Sequence, residues 1–186
     1  MIKHKVFISY HHEKDEHYKI EFERKCQDFI INQAVQFGDY NTNLSDEYVK
    51  RLIREDKISN STVVVVLIGA DTYKRKHIDW EIYAGLTDKA KGHSGLIGIL
   101  LPTYYSSLEN YNLCGRGYNE KTLPPRFLDN LKSGYAQLYH WNDAFLRVGH
   151  RNPNIQYWIE EAFYRKDNHA DKIKNSRLQM EYNKII

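Results

Sequence analysis

An α/β fold, with a five-stranded, mostly parallel sheet between two layers of helix, is predicted from three observations. Short apolar runs alternate with helix-like stretches along the chain, as they do when strands are joined by crossover helices. Residues 62–68 (TVVVVLI) and 96–101 (LIGILL) carry almost no polar residue, as strands buried on both faces require. A chain of 186 residues, 41% hydrophobic and 27% charged, is also long enough and apolar enough for one domain with a real core.

Taken in order, residues 5–10 (KVFISY) open the chain with β-branched and aromatic strand chemistry. A helix is expected over 15–31, then a short strand over 35–37. A second helix follows over 46–58, with Ser45 or Asp46 able to accept the free amides of its first turn. The apolar strand 62–68 ends at a Gly69-Ala70-Asp71 punctuation, beyond which 78–91 reads as helix. Residues 96–101 form the fourth strand, 125–131 a short helix, 136–139 the fifth strand and 155–166 the last helix. Alternation of this kind suggests a flavodoxin-like arrangement but leaves strand order open. The organisation expected is one domain over residues 1–166, with a long loop at 103–125, and a polar tail over 167–186 that is either a peripheral helix or a frayed end.

Composition removes several classes of function. A net charge of +3 with scattered basic residues does not demand nucleic acid. No apolar run approaches the roughly 20 residues that span a bilayer, and no signal peptide precedes the first strand, so a cytoplasmic protein is expected. Cys26 and Cys114 fit no metal or redox spacing and read as reduced thiols. His12 and His17 are five residues apart, one too many for the zinc-protease helix, so no metal site is expected. Phosphate loops of the GxxxxGK[ST] and GxGxxG types are absent, as is the GxSxG nucleophile elbow. Fifteen tyrosines and three tryptophans exceed what a core needs, which points to aromatic lining of a pocket or interface.

Three segments remain. They are Phe7-Ile8-Ser9-Tyr10-His11-His12 at the end of the first strand, Gly38-Asp39-Tyr40 after the second, and Gly69 to Glu81 after the third. In a parallel sheet these turns all emerge at the carboxyl edge, where open α/β folds keep their ligand crevice.

The ordered combination VFISYHH, an Asp after strand two, VVVVLIG, a basic turn and WEI resembles the TIR domain. It is similar in particular to the TIR-like proteins of the bacterial Thoeris antiphage system, over roughly residues 3–165. That resemblance implies a TIR-like three-layer sandwich and an enzyme that consumes NAD as substrate, with no other cofactor. Glu81 would be catalytic, cleaving the nicotinamide–ribose bond to give an ADP-ribose-derived messenger read by a separate effector. Around it, Ser9 is assigned to phosphate or ribose, Tyr10, His11 and Tyr73 to stacking on rings, and Lys74 and Arg75 to the diphosphate. Asp39 shares the crevice. His77 occupies the position where many TIR domains have tryptophan, the aromatic lying instead at Trp80, and both join the substrate-binding set. Self-association and a phage component as trigger are further implications. A non-catalytic TIR-like adaptor and a nucleoside deoxyribosyltransferase-like enzyme are the alternatives.

Overall fold

The computed structural model describes residues 3–33, 45–52, 58–88, 92–146 and 153–184. Strands β1 (His4–Ser9), β2 (Ile30–Asn32), β3 (Val63–Ile68), β4 (Gly95–Leu100) and β5 (Gln137–His140) form one sheet in the order β2-β1-β3-β4-β5. Every neighbouring pair is parallel. β3 lies at the centre, and successive side chains point to opposite faces, so its six apolar residues divide between two cores. Val63, Val65 and Leu67 join Val6, Ile8, Ile97 and Ile99 under α1 (His12–Cys26), α6 (Trp141–Ala144) and α7 (Asn154–Asn168). Val64, Val66 and Ile68 join Phe7, Leu96 and Leu100 under α2 (Asp46–Leu52), α3 (Lys76–Leu86) and α5 (Pro125–Lys132). All six are 0–1% exposed, which stabilises the fold by about 1.5–3 kcal/mol for each such side chain.

Close approach of helix to sheet depends on small residues in β4. A methyl group added to Gly95 would overlap the backbone carbonyl of Ala162, so α7 lies directly on that strand. No helix among the described residues is long and apolar enough to cross a membrane.

Three expectations need correction. The first helix stops at Cys26, where the Phe29 N–H bonds back to the Cys26 carbonyl, and the second strand is Ile30–Asn32. A helical reading through residue 31 took Phe29-Ile30-Ile31 as one more turn, whereas β-branched residues favour the strand. The strand expected at 35–37 falls outside the described residues, as does part of the helix expected over 46–58.

Residues 103–125 are not an open loop. α4 (Pro102–Tyr105) and short 3₁₀ turns at Tyr111–Leu113 and Glu120–Thr122 run through them. Buried Tyr104 gathers the segment: its hydroxyl accepts the Asn119 N–H at 2.8 Å and lies 2.9 Å from Thr122 Oγ1, and its carbonyl accepts Asn110 Nδ2 at 3.1 Å.

Among the described residues the tail forms no peripheral helix. After a 3₁₀ turn at Ala170–Lys172 it runs as an irregular strap along α5 and α3. Asn130 holds its start, donating to the Lys174 carbonyl at 2.8 Å and accepting the Lys174 N–H at 2.9 Å. Arg126, fully buried, donates to the carbonyls of Asn175, Arg177 and Leu178.

Candidate functional site

β1 and β3 are paired neighbours with Ser9 opposite Val66, so the turn into α1 and the turn 69–75 into α3 rise side by side at the carboxyl edge. Glu81 belongs to the second turn of α3. One turn on is Gly85, where an added methyl would overlap Val64, so the Glu81–Gly85 line is the stripe of α3 nearest the sheet. The result is a buried pair: Ser9 Oγ donates to Glu81 Oε2 at 2.6 Å, with Ser9 at 0% and Glu81 at 1% exposure.

His11 lies beside this pair in the chain and is also buried. Arg75 Nε donates to His11 Nε2 at 2.7 Å, and Arg75 Nη2 donates to Glu13 Oε2 at 2.9 Å. Arginine keeps its protons, so His11 Nε2 is the acceptor and the imidazole is neutral with its proton on Nδ1. Burial and the adjacent Arg75 charge lower the His11 pKa in the same direction. Among the described residues His11 Nδ1 has no hydrogen-bond partner.

Sequence reasoning missed a second carboxylate. Asp15, 1% exposed, accepts from Thr103 Oγ1 at 3.0 Å and presses on Gly69, where a methyl would overlap its carboxylate. It thereby ties together the segments that follow β1, β3 and β4. Burial raises its pKa, with the Thr103 hydrogen bond opposing. Thr72 fixes the same turn by accepting the Gly69 N–H at 2.9 Å. Neither residue stands out in the sequence, since Asp15 sits in a run of charged residues and Thr72 carries no motif.

The other expected residues divide. Lys74 and Lys14 both bind Asp71. Burial alone would raise the Asp71 carboxyl, but those hydrogen bonds outweigh it and hold it at about 2. Lys74 and Arg75, assigned to a diphosphate, therefore already have carboxylate partners. Tyr73 lies between the ammonium groups of Lys74 and Lys184, 5.3 and 5.5 Å from its ring centre. Tyr10, expected to stack on substrate, is 5% exposed in the core under α1 and packs on His12 at 4.3 Å. Burial, helped by Glu16, Glu23 and Glu81, pushes its phenol up to about 12.

Trp80 meets its substrate-binding assignment as a core residue. It is 1% exposed, its indole N–H donates to the Met180 carbonyl at 2.8 Å, and its ring lies under Lys50 and Lys76. His77 packs edge-on against it at 5.0 Å. Asp39 lies outside the described residues. Farther along the same edge, Pro102, Tyr105, His140 and Trp141 line a pocket of about 50 Å³, room for a few waters. Among the described residues no group of three or more His, Cys, Asp or Glu side chains has an arrangement that could hold a metal ion.

No curated protein matches the chain. A family model described as Thoeris protein ThsB, TIR-like domain, matches residues 7–105, which contain Ser9, His11, Arg75 and Glu81. With the all-parallel sheet and more than half of the 186 residues matched, the chain belongs to the family of the TIR-like domain of the Thoeris antiphage-defence protein ThsB.

Proposed function

We propose that the protein cleaves the nicotinamide–ribose bond of NAD, with Glu81 as the catalytic carboxylate, and yields an ADP-ribose-derived signal for a separate effector in antiphage defence. The observation that carries this reading is the buried Ser9–Glu81 pair at the carboxyl edge of the sheet. Membership in the family of the Thoeris TIR-like domain supports NAD as the substrate.

The chemistry asks for little more than a placed carboxylate. When the C1′–N bond breaks, its electron pair moves onto the pyridinium nitrogen and nicotinamide leaves as a neutral base, so no general acid is needed. Positive charge develops on the ribose ring, and a carboxylate beside it stabilises that oxocarbenium-like transition state. A nucleophile then closes the reaction: water gives ADP-ribose, a nucleophilic group of the ADP-ribose itself gives a cyclic product, and another small molecule gives a conjugate. Ser9, by holding Oε2, fixes the orientation of the carboxylate.

Nicotinamide release by the unaltered protein and by Glu81→Gln tests the assignment. Release that falls by at least about 10³-fold in the variant is expected; release that survives the substitution overturns the catalytic role of Glu81. The 1% exposure of Glu81 favours one second reading, an adaptor that uses the fold for binding alone. Silence of the unaltered protein under every assembly and activation condition would favour it.

A further inference from the structure

We infer that the C-terminal strap is a positioning device for the helix that carries Glu81, with Asn183 as its decisive residue. α3 begins without a local cap: Arg75 is at the N-cap position, and its side chain makes no capping hydrogen bond. The first helical amide, Lys76 N–H, is instead accepted by Asn183 Oδ1 at 2.9 Å, from 107 positions away. Beside it the Lys184 N–H donates to the Lys74 carbonyl at 2.9 Å. One turn along, Met180 N–H donates to Asp79 Oδ2 at 2.9 Å and Trp80 Nε1 donates to the Met180 carbonyl at 2.8 Å. Asp79 and Trp80 immediately precede Glu81, so the strap holds the turn from which that carboxylate projects.

The strap lies wholly outside residues 7–105 that define the family match. Its contacts with α3 are specific in type. An amide oxygen on the first N–H of a helix satisfies one of four donors that have no partner within the helix. The remaining bonds fix α3 in rotation and in translation along its axis. In that setting Glu81 reaches Ser9 at 2.6 Å, and a displacement of about 1 Å at a reacting group can cost about 100-fold in rate.

The kinetic consequence rests on the reading of Glu81 as an NAD-cleaving carboxylate, whereas the positional one does not, and the experiment separates them. The carboxyl ¹³C signal of Glu81, assigned by its loss in Glu81→Gln, reports the hydrogen bond from Ser9. Asn183→Ala is expected to shift that signal, Asn183→Asp to leave it in place because a carboxylate caps the helix equally well, and Arg177→Ala, which cuts the side-chain bonds of the strap to Asp129 of α5 and leaves the cap of α3 intact, to leave it in place too. Near-ultraviolet circular dichroism verifies that all three are folded. In parallel, Asn183→Ala is expected to lower kcat for nicotinamide release about tenfold with KM unchanged, and Asn183→Asp to restore it. A Glu81 signal unmoved in folded Asn183→Ala overturns the inference, whereas a shifted signal with unchanged kcat in an active protein overturns the reading of Glu81 as the NAD-cleaving carboxylate. An unaltered protein with no activity counts against NAD cleavage, and the ¹³C signal then decides the positioning role alone.

Discussion

Glu81 and Asp15 are two carboxylates of nearly equal burial whose surroundings give them different roles. Glu81 receives a hydroxyl donor at 2.6 Å from a strand end, and that donor is replaceable. Ser9→Ala removes the hydroxyl donor from a buried carboxylate, and a net loss of about 1–3 kcal/mol is expected for a hydrogen bond to a charged group. We expect that loss in urea unfolding together with slower nicotinamide release; unchanged stability would mean that Ser9 does not support Glu81. Asp15 instead has its folded pKa raised by burial, so the unfolded chain gives up this proton at lower pH than the folded one. Its contribution to stability is therefore full below the ordinary carboxylate range and is lost as pH rises through the raised folded value. Asp15→Asn keeps an acceptor for Thr103 and never ionises. The variant is expected to be more stable than the unaltered protein at pH 7 and to lose that advantage near pH 3. Urea unfolding at the two pH values measures it, and a variant less stable at pH 7 would show that ionised Asp15 is needed. His11 has the opposite sign: its folded pKa is lowered, so its contribution is present above the ordinary histidine value and is lost as pH falls through the lowered one.

α3, α5 and the strap are joined by one buried ion pair. Arg126 Nε and Nη2 donate to the two oxygens of Asp79 at 2.9 and 3.2 Å, with 0% and 1% side-chain exposure, and Nη1 and Nη2 also donate to the strap carbonyls of Asn175, Arg177 and Leu178. Replacing Arg126 by Met strands both a buried carboxylate and those carbonyls, and a loss of about 3–5 kcal/mol is expected. The double change Arg126→Met with Asp79→Leu should recover part of it; full additivity in urea unfolding would mean that the two residues do not act as a pair. This node also explains what the sequence could and could not reveal. β3 and β4 were legible because an unbroken apolar run has few alternatives to a buried strand, and the place of Glu81 in the helix after β3 was legible through the motif around it. The strap was not, because its information lies in single polar contacts between residues 44 or more positions apart, with no period in the strap itself. Asn183 as the cap of α3 is the clearest case, since Lys74-Arg75-Lys76 offers no capping chemistry to read. The 103–125 segment was misjudged for a related reason: one tyrosine, Tyr104, organises it from its first turn.

At the scale of the whole molecule, the carboxylate proposed to meet NAD is shut away at 1% exposure, so a productive complex requires the carboxyl edge to open. The turn 69–75 is held over that edge by ion pairs from Lys14 and Lys74 to Asp71 and from Arg75 to Glu13, of which only the Lys14 and Glu13 side chains are largely exposed. The pairs made by those two contribute about 0–1 kcal/mol each and weaken with salt, so that part of the lock is shallow, while the largely buried Lys74–Asp71 pair and the Thr72–Gly69 hydrogen bond hold the turn more firmly. A binding event that favours the open arrangement by a few kcal/mol is enough to shift its population. A second copy of the chain is such an event if assembly completes the site, and the activity per chain should then rise with concentration. We expect specific nicotinamide release to increase over a 100-fold range of protein concentration, and light scattering to show larger species when a non-cleavable NAD analogue is present. Constant activity per chain across that range, with a monomer persisting in the presence of the analogue, would leave the opening to some other partner. Because assembly and opening are linked, the two measurements must change together: activity that rises while the scattering stays that of a monomer would break the link between them.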